Sequence, residues 1–218
     1  MKGISNSSII AVSVLGVASI LVVATAVQPW IDPMRLYYDV QTLGRVSETC
    51  CSAYDGAIST LGIMLWASTA ALAVFAGFIF YIIDDRAELG FALHVGLLSG
   101  WLAIDDAYLL HELVLPRLGV PQLFVLASIG FALFMLLIVH RSILLRAAWW
   151  LLAFAVLMFA ISASVDIIMP GVTSTWLVVE DGSKFIGIVA WCVFFVDTFL
   201  KLALKHLTPI TDMIDGDR

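Results

Sequence analysis

Phe91-Ala-Leu-His94-Val-Gly-Leu-Leu-Ser-Gly-Trp101-Leu-Ala-Ile-Asp105-Asp106-Ala-Tyr108-Leu-Leu-His111-Glu112-Leu-Val114 is apolar enough for a membrane helix, yet it carries three carboxylates and two imidazoles. A charge near the centre of a bilayer costs at least about 2.5 kcal/mol on insertion scales, so such residues face a protein interior or a water-filled cavity. The stretch therefore fixes both the environment of the chain and the place to look for its chemistry.

The surrounding composition agrees with a membrane reading. Of 218 residues, 62% are hydrophobic and only 13% charged, against roughly 25% charged in soluble domains; mean hydropathy is +1.05. Apolar runs of about 20 residues are long enough to span at 1.5 Å rise per residue. Six occur, at approximately 8–28, 57–83, 91–114, 121–139, 142–169 and 181–204. The expected fold is all-α: a bundle of six transmembrane helices forming a single domain over 1–218. Residues 29–56 make a polar and aromatic connection, in which Trp30, Tyr37 and Tyr38 suit a membrane interface.

Lys2, Arg86, Arg141, Arg146, Lys201, Lys205 and Arg218 fall on one side of this topology, and Arg35, Arg45, Arg117 and Lys184 on the other. Seven against four places both termini in the cytoplasm by the positive-inside rule, as in a bacterial-type plasma membrane. Lys2 with the apolar run ending near Ala24-Thr25-Ala26 has features of a cleavable leader, but the run is long for one; it reads as a retained helix. The partner implied is the lipid bilayer. No basic patch suits nucleic acid. Gly16/Ser19 and Gly96/Gly100 would permit close helix contacts, including those of a homo-oligomer. Cys50 and Cys51 are adjacent, and the strain of closing that ring reads as two unpaired thiols.

On a continuous helix at about 100° per residue, His94, Leu98, Trp101, Asp105 and Glu112 share a face, whereas Asp106 and His111 point elsewhere. This predicts a polar stripe about 27 Å long. The last span opens with Glu180-Asp181-Gly-Ser-Lys184, where i,i+3 and i,i+4 spacing allows a local ion pair. Asp166 ends the fifth span at the same expected depth. The sequence thus predicts that Asp105, Asp106, His111, Glu112, Asp166, Glu180 and Asp181 gather in the outer half, with Lys184 as main counter-charge. Protonation, hydration or a bound cation would offset their cost.

Two functional classes follow. In the first, Asp105 and Glu112, supported by His94, Asp106, His111, Glu180 and Asp181, bind and pass protons or cations. In the second, Asp105, Asp106, His111 and Glu112 hold a divalent cation (Zn²⁺, Mg²⁺ or Ca²⁺) that activates water against a lipid. A polar packing network is the third reading. Asp197 and Lys201 are expected to form a structural i,i+4 pair, and Trp191 and Phe195 to lie in the core.

Overall fold

Asp-Pro and Asp-Arg-Ala-Glu sequences start helices where the apolar runs alone leave the boundary open. A computed structural model of the chain describes residues 6–46, 48, 50–169 and 174–215. Its helices are α1 (Asn6–Val27), α2 (Pro33–Tyr37), α3 (Val40–Val46), α4 (Ala57–Ile82), α5 (Arg86–Tyr108), α6 (Leu115–Arg117), α7 (Gln122–Val139), α8 (Arg141–Leu144), α9 (Trp149–Ile168) and α10 (Ser174–Asp215), with a π-helical turn at Leu110–Val114. No strand occurs among the described residues. Six helices are long and apolar enough to cross a membrane. Large apolar side chains such as Phe75, Phe78, Ile82, Leu97, Phe124 and Phe131 are exposed, as a lipid-facing surface requires and an aqueous one would penalise.

Local chemistry sets the helix starts. The Asp32 carboxylate accepts from the Met34 backbone N–H at 2.9 Å, with Pro33 at the first helical position of α2. Asp85 accepts from the Glu88 N–H at 3.0 Å, so α5 begins at Arg86 and not at Phe91. Both are N-caps that satisfy donors lacking a helical partner. α10 already contains Ser174 and Thr175, ahead of the span start expected near 181; Pro170-Gly171, just after the expected fifth span, lie outside the described residues. The expected fifth span also divides: α8 and the turn after it separate 141–144 from α9.

The chain forms two compact units, Met1–Leu65 with Trp150–Val193, and Trp66–Trp149 with Phe194–Arg218. In the first, Ala18, Val22, Leu36, Tyr37, Ile58, Leu177, Phe185 and Val189 make a buried cluster. Tyr37 has no exposed surface; its hydroxyl donates to the Val22 carbonyl at 2.9 Å and lies 2.8 Å from the Thr25 hydroxyl. It is therefore a core residue and not part of an interfacial belt, because those two partners replace the water its hydroxyl gives up. Trp30, by contrast, is 85% exposed. Gly182 makes the close approach possible: a Cβ there would lie 2.9 Å from Val22 Cγ1.

In the second unit, Phe91 packs 5.9 Å from Phe195 and 5.5 Å from Phe199 between ring centroids. Gly96 lets α5 approach α4, since a Cβ would sit 3.5 Å from both Ala73 and Val74. The small residues at 96 and 100 thus serve a contact within the chain. Asp197 and Lys201 pair at 2.6 Å and Phe195 is buried, as expected, and so is Trp191 in the first unit.

Candidate functional site

α5 does not continue to Val114. Leu109 adopts the left-handed conformation at φ 52°, ψ 46° and ends it, a geometry that costs a non-glycine residue about 1–2 kcal/mol. The chain then makes a π-helical turn, in which the Val114 N–H reaches back to the Leu109 carbonyl at 3.1 Å. π-turns recur at functional sites. The break rearranges the expected stripe. Six residues along a continuous helix would separate Asp105 and His111 by about 9 Å and 240°.

Instead they meet. His111 lies with its backbone N–H 2.9 Å from Asp105 Oδ1 and its Nδ1 2.6 Å from Oδ2. Both carboxylate oxygens are held by one residue, and with Asp105 ionised it is the Nδ1–H that donates to it. The other ring nitrogen, Nε2, is 3.4 Å from Glu112 Oε1. Side-chain exposure rises from 2% at Asp105 through 10% at His111 to 43% at Glu112. The three form a short chain of titratable groups leading from the protein interior outward. Asp106 points to α4 instead, accepting from Trp66 Nε1 at 3.1 Å.

His94 stands eleven residues earlier on α5. Its Nε2 is 3.2 Å from the Ala132 carbonyl of α7, and its ring meets His140 edge-on at 5.5 Å. Burial, and to a lesser degree the neighbouring His94, lowers the His140 pKa. Asp166, Glu180, Asp181 and Lys184 belong to the first unit. Asp181 lies within electrostatic reach of Tyr37, whose hydroxyl is raised above its ordinary range mainly by burial and further by Asp181, against the opposing hydrogen bond to Thr25.

Three polar clusters escaped the sequence reading. Arg35 grips Asp55 through Nε and Nη2, both at 2.9 Å, and the Ser52 N–H donates to the same carboxylate at 2.7 Å. The hydrogen bond to Arg35 holds the Asp55 pKa below the usual carboxylate range, and Asp55 in turn raises that of Arg35. Cys50 and Cys51, expected to be unpaired, are joined as a disulfide. Glu88, buried at the start of α5, takes Lys205 Nζ at 2.9 Å on one oxygen and His206 Nε2 at 3.0 Å on the other. The Asp85-Arg-Ala-Glu88 capping pattern marks this helix start in the sequence. Nothing in the sequence links it to Lys205 and His206, more than a hundred residues away.

Residues 9–198 match a family described as Domain of unknown function (DUF8692). The chain belongs to this family. The match takes in Asp85, Glu88, Asp105, His111 and Glu112, while Lys205 and His206 lie beyond it. Neither curated proteins nor solved structures yield a match.

Proposed function

We propose that this protein passes protons through its membrane helices, within the broader class of cation-handling proteins, and that Asp105, His111 and Glu112 form the relay. The observation that carries this reading is the order of the three groups: buried carboxylate, imidazole, half-exposed carboxylate, at 2.6 and 3.4 Å. An imidazole flanked in this way can accept a proton on one nitrogen and release one from the other. With Glu112 protonated and Asp105 ionised, the Glu112 proton moves to Nε2 as the Nδ1 proton moves to Asp105 Oδ2. The ring is neutral before and after, its N–H now on Nε2, and the negative charge has passed from Asp105 to Glu112.

Coordination chemistry favours the proton over a hard cation here. Ca²⁺ takes 6–8 oxygen ligands and Mg²⁺ a near-octahedral oxygen shell. Asp105, His111 and Glu112 offer two carboxylates and one imidazole, too few oxygens for either shell. In this reading His94 and Asp106, on the same helix, extend the path.

Purified protein in liposomes carrying an internal pH-sensitive dye tests the proposal. An imposed pH gradient or membrane potential should drive proton flux above that of empty vesicles. Vesicles impermeable to protons, Na⁺, K⁺, Mg²⁺ and Ca²⁺ under every gradient would refute it.

A further inference from the structure

The cluster at the start of α5 has a different character from the relay. Asp85, Glu88 and His206 each present one donor atom, and these atoms lie within 4.8 Å of one another. His206 Nε2 is 3.0 Å from Glu88 Oε2 and 3.8 Å from Asp85 Oδ2. Ligands bound at about 2.0–2.2 Å around a tetrahedral zinc ion are spaced by roughly 3.3–3.5 Å, so these separations need only small side-chain rotations. We infer that Asp85 Oδ2, Glu88 Oε2 and His206 Nε2 form a binding site for a first-row divalent transition metal, with Zn²⁺ the natural probe.

The groups around these donors support the assignment. Lys205 Nζ holds Glu88 through Oε1 at 2.9 Å. The Glu88 N–H holds Asp85 through Oδ1 at 3.0 Å. In both carboxylates one oxygen is pinned by an outer partner, and the second is the atom turned toward the imidazole. Outer partners of this kind orient metal ligands and tune their affinity. Glu88 is buried and Asp85 and His206 are partly exposed, so an ion has a route in while the site keeps a dry side. The donor set also selects the ion. One imidazole and two carboxylates match the three-protein-ligand sites of zinc with an open fourth position, and supply too few oxygens for calcium. Lys205 offsets one of the two carboxylate charges, which disfavours purely electrostatic capture of a hard cation and leaves the metal–nitrogen bond to decide.

The other three-donor cluster among the described residues does not qualify. The sulfurs of Cys50 and Cys51 are joined to each other, and Asp55 is committed to Arg35.

The test uses the full chain, purified in detergent, stripped with chelator and titrated with ZnCl₂ by calorimetry, with bound metal counted after dialysis. One Zn²⁺ per chain is expected. His206→Gln, which keeps a hydrogen-bond donor for Glu88, and Asp85→Asn, which keeps the helix cap, each alter a ligand and should weaken binding by at least about tenfold. His111→Gln should leave this binding unchanged. Absence of stoichiometric Zn²⁺ in the wild type overturns the inference. So does wild-type affinity in a folded His206→Gln, or loss of the metal only in His111→Gln, which would locate it at the relay.

Discussion

Asp105 and His111 are joined by two hydrogen bonds across six residues of chain, and the left-handed turn at Leu109 is what brings them together. The buried carboxylate is compensated by an imidazole and a backbone N–H from its own chain segment. Strain at Leu109 and burial at Asp105 are thus two sides of one local arrangement: the turn costs energy, and the satisfied carboxylate offsets it.

Removing the imidazole exposes that balance. His111→Ala leaves Asp105 buried with one of its two donors lost, and should lower stability in detergent by about 1–3 kcal/mol. Glu112→Ala, at a half-exposed position, should change it by no more than about 0.5 kcal/mol. Chemical or thermal unfolding followed by circular dichroism measures both. Equal losses would mean that Glu112, and not Asp105, is the group the fold protects.

The two helix-contact glycines should respond in opposite ways. Gly182→Ala drives a methyl to 2.9 Å from the buried, β-branched Val22 and should cost about 1–3 kcal/mol. Gly96→Ala meets Ala73 and Val74 at 3.5 Å, an ordinary contact, and should be neutral or stabilising by up to about 1 kcal/mol through helix propensity. Thermal unfolding of the two variants decides the matter. A destabilised Gly96→Ala would show that α4 and α5 pack more tightly than described.

Asp55 gives a pH signature. Its pKa is lowered in the folded protein by the hydrogen bond to Arg35, so its contribution is complete above the ordinary carboxylate value of about 3.9 and is lost as pH falls through the folded value. Asp55→Asn should therefore be less stable than the wild type at neutral pH, with the difference shrinking below about pH 4. Melting temperatures of both proteins between neutral and acidic pH provide the check. A constant difference across that range would mean that the pair contributes nothing that depends on ionisation.

The number of spans and most of their limits were legible because hydropathy over about 20 residues is a one-dimensional signal. Asp105 stood out for the same reason, as a charge inside an apolar run. The pairing of Asp105 with His111 did not, because a helical projection assumes that the helix continues, and Leu109 carries no glycine or proline to announce a left-handed residue. Tyr37 was misread for a related reason: aromatic and polar neighbours made it resemble an interface residue, whereas its burial depends on Val22 and Thr25, contributed by a different helix. Glu88 and His206 could not be linked by any local pattern, and only the packing of α10 against α5 within their unit brings them together.

Proton uptake by vesicles containing Asp105→Asn, compared at equal protein content with the wild type, tests the central claim most directly. Asn is isosteric and can still accept from the His111 backbone, so the fold should survive, while the relay loses the buried group that must take the proton. The account predicts wild-type flux and a loss of at least about tenfold in Asp105→Asn, as expected for an intramembrane carboxylate on a proton path. An unchanged rate in folded Asp105→Asn would contradict it.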